Sequence, residues 1–448
     1  MNNVDLYKGM IGISDEVLER SEKSMHSINK KKIKRKWLLP FAACILLAFF
    51  GVAFILKNTN EIKASDLMKG IQANDDIKGV SSNLYSPLIT DFSIRIFKAC
   101  YDNDHKQNQL ISPVSILNTL GMLANGADGD TLKQIENVSG ATKNVLNESV
   151  LGFFADQYVG GENRLTTANS IWIDESIGDV NQDFLQTNAD YYSSDIYEIA
   201  LNKKAIKEIN KWVEEKTKGM IKKIIEDDSD DNSKLLFINA LAFEGEWEEQ
   251  YKDNSVIDGF FTTEDGVEEN VQFMCSTEHE YIEDKNTTGF IKYYKDKRYA
   301  FVALLPDESI SLSDYISSID ENKISQLLSN KKQGTVIAKL PKFEIDYAIG
   351  LEKILKEMGM TDAFNPGEAD FSNIKENSDL YLNRVLHKTF IQVDEKGTKA
   401  AAVTAVTFKF TSNSLIYEVN LNKPFIYILI DCKSNTPLFI GTVVDFEN

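Results

Sequence analysis

Eleven residues near the C-terminal end, Asp394-Glu-Lys-Gly-Thr-Lys-Ala-Ala-Ala-Val-Thr404, constrain the fold of this chain more than any other stretch. They follow a strand-like run, Thr389-Phe-Ile-Gln-Val393, and lead into Ala405-Val-Thr-Phe-Lys-Phe-Thr-Ser-Asn-Ser414. Gly397 permits an abrupt change of backbone direction. Surface loops favour Gly, Pro, Asn, Asp and Ser, whereas three successive alanines suit a helix. The framing threonines fit a loop that at times becomes a central strand of a sheet, where small and β-branched residues offer no steric resistance. In such a strand Thr398, Ala400, Ala402 and Thr404 share one face, because strand side chains alternate. Taken alone, these eleven residues leave an exposed helical linker open as the other reading.

With 448 residues the chain is long enough for two or three average domains. No Gly/Ser- or Pro-rich linker divides residues 85–448, and the whole chain holds only eight prolines, so one large domain of mixed helices and strands fits better. An apolar content of 43% is ample for a sizeable core. Residues 1–36 carry nine Lys/Arg against five Asp/Glu, so the remainder carries −23 of a formal net charge of −19. That balance argues against nucleic-acid binding, which needs a basic face, and reads as a solvated acidic surface. Cys44, Cys100, Cys275 and Cys432 are irregularly spaced with no C-x-x-C pair, which excludes a zinc ribbon and a dithiol motif. Cys44 lies in an apolar segment, and the three others suggest buried free thiols rather than a disulfide framework.

Residues 37–56, Trp-Leu-Leu-Pro-Phe-Ala-Ala-Cys-Ile-Leu-Leu-Ala-Phe-Phe-Gly-Val-Ala-Phe-Ile-Leu, carry no charge. As a helix they span roughly 30 Å, the thickness of a bilayer's hydrocarbon core. Lys30-Lys-Lys-Ile-Lys-Arg-Lys36 stands immediately before them, which places the N-terminus in the cytoplasm and everything after Lys57 outside the cell. The reading is a single-pass anchor in the cell membrane: residues 1–36 cytoplasmic, 37–56 transmembrane, 57–80 a polar tether, 81–448 the extracellular domain. A cleaved signal peptide and a lipoprotein at Cys44 are the alternatives. The first has a poor exit at Lys57-Asn-Thr-Asn60 and a long basic leader, and the second is followed by twelve more apolar residues.

Catalytic motifs are missing. His26, His105, His279 and His387 are the four histidines, and His279-Glu280 lacks the second histidine of a zinc-protease helix. No G-x-S-x-G elbow, Walker A loop or G-x-G-x-x-G is present. His387 has no nucleophile motif beside it and reads as a hydrogen-bonded core residue. No metal or cofactor site is indicated, and a secreted hydrolase is disfavoured.

Several motifs, in order, resemble the serpin family. Asn383-Arg-Val-Leu-His-Lys-Thr-Phe-Ile-Gln-Val-Asp-Glu-Lys-Gly-Thr-Lys-Ala-Ala-Ala402 resembles its strand and hinge, and Asn422-Lys-Pro-Phe425 and Pro437-Leu-Phe-Ile-Gly-Thr-Val443 its last strands. Asn108-Gln-Leu-Ile-Ser-Pro-Val-Ser115 with Gly126-Ala-Asp-Gly-Asp-Thr131 is similar to an early helix. Asn210-Lys-Trp-Val213 with Thr217-Lys-Gly219, Asn239-Ala-Leu-Ala-Phe243 with Gly245-Glu-Trp247, Leu340-Pro-Lys-Phe343, Gly359-Met360 and Ala369-Asp-Phe371 continue the series. The resemblance covers residues 84–446 and points to a membrane-anchored, bacterial-type member. It implies an α+β serpin fold, with three β-sheets, about nine helices and an exposed reactive loop, preceded here by one transmembrane helix.

It also implies a function. The family's loop is bait: a serine protease attacks it, and the cleaved loop then enters the large sheet as a new strand. The protease is left trapped as a covalent acyl-enzyme. The resemblance assigns the hinge to Glu395, Gly397, Thr398, Ala400, Ala401, Ala402 and Thr404. Glu395 is expected to pair with Lys342 near the top of the sheet, beside Trp247. Ser112, Ser115, Asn239 and His387 match a buried polar cluster that governs sheet opening. Counting forward from Glu395 by the family's spacing puts the scissile bond between Thr411 and Ser412; counting back from Pro424 puts it between Asn413 and Ser414. Depth of insertion is set from the hinge, which favours Thr411. A threonine flanked by Phe408 and Phe410 suits an elastase- or subtilisin-like serine protease, with a cysteine protease as second candidate. Lys399 stands where the family usually has Glu, on the outward face of the new strand. The chain is thus expected to be a monomeric protease inhibitor and not an enzyme. The competing reading is a non-inhibitory serpin acting as a binding or sensor protein.

Overall fold

The computed structural model describes residues 64–157, 164–226, 234–376, 379–398 and 415–446. The chain divides into two compact units, Met1–Glu61 and Ile62–Asn448, of which the first lies wholly outside the described residues. The described residues hold nine α-helices: α1 (Ser82–Asn103), α2 (Pro113–Gly126), α3 (Gly129–Ser139), α4 (Lys143–Gln157), α5 (Gln182–Tyr192), α6 (Lys203–Lys216), α7 (Leu312–Ser318), α8 (Glu321–Ser329) and α9 (Glu352–Glu357). None of them is long and apolar enough to cross a membrane, and residues 37–56 fall outside the description.

A large seven-stranded sheet is built from β1 (Ser65–Asp66), β3 (Arg164–Asp174), β4 (Asp195–Ile199), β5 (Leu235–Glu246), β11 (Phe343–Gly350), β12 (Arg384–Val393) and β13 (Gly397–Thr398). Its order is β1-β4-β3-β5-β13-β12-β11, and β5 and β12 also pair directly in parallel. The second sheet comprises β2 (Gln109–Ile111), β6 (Val256–Thr262), β7 (Glu268–Glu283), β8 (Thr287–Tyr293), β9 (Tyr299–Pro306), β10 (Lys332–Pro341), β14 (Ile416–Asn420), β15 (Phe425–Asp431) and β16 (Thr436–Val443). They run β14-β10-β7-β8-β9-β15-β16-β2, with β6 also on β7.

The expectation of three sheets is corrected to two hydrogen-bonded networks among the described residues. The 16-residue strand β7 is the reason. Its first half pairs with β6 and its last residues with β8, so one unbroken backbone joins what would otherwise be separate sheets.

Period-two patterning of the large sheet feeds two cores. In β5, Leu235, Phe237, Leu241 and Phe243 face the main core, while Leu236, Ile238 and Ala240 face a second one. The second core is closed by the amphipathic helix α6, which contributes Ala205, Ile206, Ile209, Trp212 and Val213 against Ala168 and Trp172 of β3. On the other face lies α2, whose fourteen residues are all buried. It is enclosed by protein on every side and mostly apolar, with Ser115, Asn118, Thr119 and Asn125 as buried polar groups, and Pro113 at its first turn occupies a position that needs no N–H partner.

The described part of the expected tether 57–80, residues 64–80, lies along the body as a strap. Ser65 and Asp66 pair with Glu198 and Tyr197 of β4, and the Leu67 amide donates to Ile196 O at 3.0 Å. Asn74 N donates to Asp190 Oδ1 at 2.8 Å, and Gly79 packs backbone to backbone on Gly152. The folded body therefore begins before the expected boundary at residue 81.

Candidate functional site

β5 and β12 pair in register from Leu236–Arg384 to Ala242–Phe390. Above that point they diverge, and the two residues of β13 sit between them: Gly397 opposite Glu246, Thr398 opposite Gly245 and Val393. A tight turn delivers them. Asp394 Oδ1 accepts from the amides of Lys396 (2.8 Å) and Gly397 (3.2 Å), and the Asp394 amide donates to Gly397 O at 3.0 Å. A Cβ at Gly397 would lie 2.1 Å from Gly245 O, so only glycine fits.

The three carbonyls of the turn are held by one segment. Trp247 Nε1 donates to Asp394 O at 2.9 Å. The Tyr251 amide donates to Glu395 O at 2.9 Å and the Trp247 amide to Lys396 O at 3.0 Å. The Trp247 indole is 1% exposed and stacks on Tyr294 with ring centroids 4.3 Å apart. Tyr294 Oη in turn meets Thr398 Oγ1 at 2.7 Å, and Thr398 is fully buried. Burial keeps the Tyr294 hydroxyl protonated by pushing its pKa up. Glu395 pairs with Lys342. Burial pushes the Glu395 carboxyl up, but the Lys342 hydrogen bond and backbone contacts outweigh it and hold the carboxyl below the usual range. Both side chains are partly exposed, and such pairs contribute ~0–1 kcal/mol. The Lys342→Ala variant is accordingly expected to unfold within about 1 kcal/mol of the parent; a larger loss in a urea titration would contradict this assignment of the pair to the surface.

Lower in the same sheet a polar rung crosses three strands. Asn169 of β3 stands opposite Asn239 of β5, which stands opposite His387 of β12. Alternation turns all three toward α2. Asn239 Nδ2 donates to Asn169 Oδ1 (2.7 Å), Ser115 O (2.8 Å) and Ser115 Oγ (2.6 Å). The Ser112 amide donates to His387 Nε2 at 3.0 Å, so that nitrogen carries the lone pair. Nδ1–H therefore donates to Asn239 Oδ1 at 2.6 Å. Ser112, Ser115, Asn239 and His387 all have zero exposure, which leaves His387 no access to a substrate.

Burial pushes the His387 pKa down to about 3, against ~6.5 in an unfolded chain. Below pH 6.5 the unfolded state binds a proton that the folded state refuses. Stability present above that pH is therefore lost as pH falls toward 3, by about 2 kcal/mol between pH 7 and pH 5. The His387→Gln variant is expected to lose this part of the pH dependence of its urea midpoint. An unchanged slope would show that the imidazole is not held neutral.

The structure thus brings together Glu395, Gly397, Thr398, Trp247 and Lys342 at the head of the sheet, and Ser112, Ser115, Asn239 and His387 in its middle. Ala400, Ala401, Ala402, Thr404, Thr411, Ser412, Asn413 and Ser414 lie outside the described residues. Sequence reasoning missed Asn169, Tyr294 and Tyr251. The strand alternation of Asn169 with Ile171 and Ile173 could have revealed the first; nothing local marks the two tyrosines. No group of three or more His, Cys, Asp and Glu side chains able to hold a metal occurs among the described residues, and Cys100, Cys275 and Cys432 are free.

A family model described as Serpin (serine protease inhibitor) matches residues 87–446. A leukocyte elastase inhibitor from Xenopus tropicalis is 30% identical over 370 residues, covering 80% of this chain and 98% of its own. Among solved structures, a thermophilic serpin, tengpin, in the native state is 42% identical with a TM-score of 0.80, covering 86% of this chain and 100% of that one. The same protein in the latent state gives a TM-score of 0.71 at 42% identity, covering 83% of this chain and all of the other.

Proposed function

The chain belongs to the serpin family, and from that premise we propose that it is a suicide-substrate inhibitor of extracellular serine proteases of elastase- or subtilisin-like preference. The observation that carries this reading is β13: the hinge residues Gly397 and Thr398 already occupy the space between β5 and β12. The next residues, Lys399-Ala-Ala-Ala-Val-Thr404, are small or β-branched on the face that would enter the sheet.

On this reading the protease serine attacks after Thr411, expels the chain beginning at Ser412 and is left as an ester on the loop. Continued insertion then parts β5 from β12, exchanging their parallel register for a new strand bonded on both sides. The Asn239–His387 bond lies across that seam and must be exchanged as the seam opens. Asn239 Nδ2 keeps Ser115 and Asn169 as partners and His387 Nε2 keeps the Ser112 amide, so that opening frees only Asn239 Oδ1 and His387 Nδ1–H to find partners beside the new strand. The cluster thereby lowers the penalty of opening, since buried polar groups left unpaired are costly.

The uncharged residues 37–56 behind Lys30-Lys-Lys-Ile-Lys-Arg-Lys36 support a cytoplasmic N-terminus and a membrane anchor. The inhibitor would then guard the outer cell surface as a monomer. Incubation of the detergent-solubilised chain with elastase, subtilisin and trypsin tests the proposal. An SDS-stable complex with one of the first two, and a released peptide beginning at Ser412, is the expected result. A peptide beginning at Ser414 would move the bond to Asn413. Cleavage without complex by every protease would favour the non-inhibitory binding or sensor role.

A further inference from the structure

Beside the hinge lies a cavity of about 760 Å³ that the trapping mechanism does not use. It forms because one edge of β7 is left without a neighbour. β6 pairs with β7 up to Met274, and β8 takes over only from Glu280. Cys275, Ser276 and Thr277 line the gap, which is closed by the segment that follows β5 and by β10 and the start of β14. The volume falls within the ~300–1,000 Å³ of small-molecule sites.

The lining favours one kind of guest. Its walls are mostly apolar, and Ile337 and Ile416 are 44% and 71% exposed at the rim. Tyr251 is 8% exposed and lines the cavity. Its hydroxyl lies near that of Ser276, yet neither makes a well-formed hydrogen bond. Four of the lining charges, Lys292, Glu246, Lys295 and Glu248, are already paired. Buried Lys292 pairs with Glu278 at 2.8 Å, donates to Glu249 O at 3.1 Å and sits 4.4 Å from the Tyr251 ring centre. Glu246 pairs with Lys295 and Glu248 with Lys297. Burial, then the Glu278 carboxylate, push the Glu249 carboxyl up, an environment that resists a further anion.

We propose that this cavity binds a neutral aromatic molecule bearing a hydroxyl or carbonyl, whose polar atom meets Tyr251 Oη and Ser276 Oγ. The guest rests on the segment whose Trp247 and Tyr251 amides hold the carbonyls of Lys396 and Glu395. Occupancy therefore steadies the hinge at its present two-residue depth and slows loop insertion. The coupling rests on the function proposed above; the binding does not.

The test uses 2-naphthol and the full-length chain in detergent, and reads the rate at which N-ethylmaleimide labels Cys275, located by mass spectrometry. 2-Naphthol is expected to protect Cys275 saturably and to leave Cys432 unaffected, which separates binding from partition into the micelle. Tyr251→Phe, which removes one hydrogen bond, should raise the half-protecting concentration about five- to tenfold. Thr277→Trp, which fills the cavity, should abolish protection. Labelling of Cys275 at one rate with and without 2-naphthol, or equal protection in all three chains, overturns the site. Conversion of the intact chain on warming to a heat-resistant, inserted form should slow several-fold with 2-naphthol. Protection of Cys275 with no change in that rate overturns the coupling alone, and a failure to trap proteases leaves the labelling result intact.

Discussion

Replacing Thr398 by arginine is expected to turn the inhibitor into a substrate. Thr398 is fully buried between β5 and β12, with its hydroxyl on Tyr294. The Tyr294 hydroxyl can accept one bond from a guanidinium, and among the described residues no carboxylate is bonded to Tyr294 or Thr398 to neutralise it. Burying an unpaired ion carries a penalty of several kcal/mol even after relaxation. The arginine is therefore expected to leave the sheet in the intact chain, and insertion, which must bury it again, crosses a barrier higher by at least ~3 kcal/mol, a slowing of roughly 100-fold. Hydrolysis of the acyl-enzyme does not pass through the sheet and keeps its rate, so the ester is cleaved before the protease is distorted. The measurement is the ratio of SDS-stable complex to cleaved chain, expected to fall by about two orders of magnitude. Thr398→Ser keeps the hydroxyl and the small volume and should retain the ratio. An arginine variant that traps protease as well as the parent would show that Thr398 does not go down with the inserting strand.

Loop cleavage in the parent is expected to raise thermal stability far more than any single substitution. The loop between Lys399 and Phe410 would add a full strand with pairing on both sides. At ~0.5–1.5 kcal/mol per hydrogen bond, about a dozen such bonds contribute on the order of 10 kcal/mol. For a folded unit spanning residues 62–448, at ~2.1 cal/mol/K of unfolding entropy per residue, that corresponds to an increase in midpoint of about 12 °C. Circular dichroism melts of intact and cleaved chain decide the matter. A cleaved chain that melts with the intact one would mean that the present closed register of β5 and β12 is already the lower state. On the predicted outcome the inserted form is the lower state and the intact form persists kinetically, held by the barrier to parting that register, so its scan midpoint should depend on heating rate.

How far the site could be read from residues alone depended on whether its partners are near in sequence or carried by motifs. The turn at Asp394 to Gly397 is local, and its glycine has one steric reason, so it was legible. The pair of Lys342 with Glu395 and the buried group around His387 came only through family resemblance, because nothing in their spacing places them together. Asn169 was missed although it alternates with Ile171 and Ile173, because that pattern gives its face but not its partner. Only strand register puts it across from Asn239. The joining of two expected sheets was also illegible. Residues 268–283 contain no proline or glycine to mark where pairing changes hands from β6 to β8. The strap at 64–80 looked like a tether because its sequence is polar and short of apolar periodicity. It is held instead largely by backbone groups and by Asp190, contacts that composition does not reveal.

The central claim is that the loop following β13 becomes a strand between β5 and β12. Hydrogen exchange, read by mass spectrometry on the chain before and after cleavage at Thr411, tests it most directly. The account predicts that amides in residues 399–410 gain protection on cleavage, while β5 and β12 remain protected through their new partner. Cleavage that leaves exchange in residues 399–410 as fast as in the intact chain would contradict it.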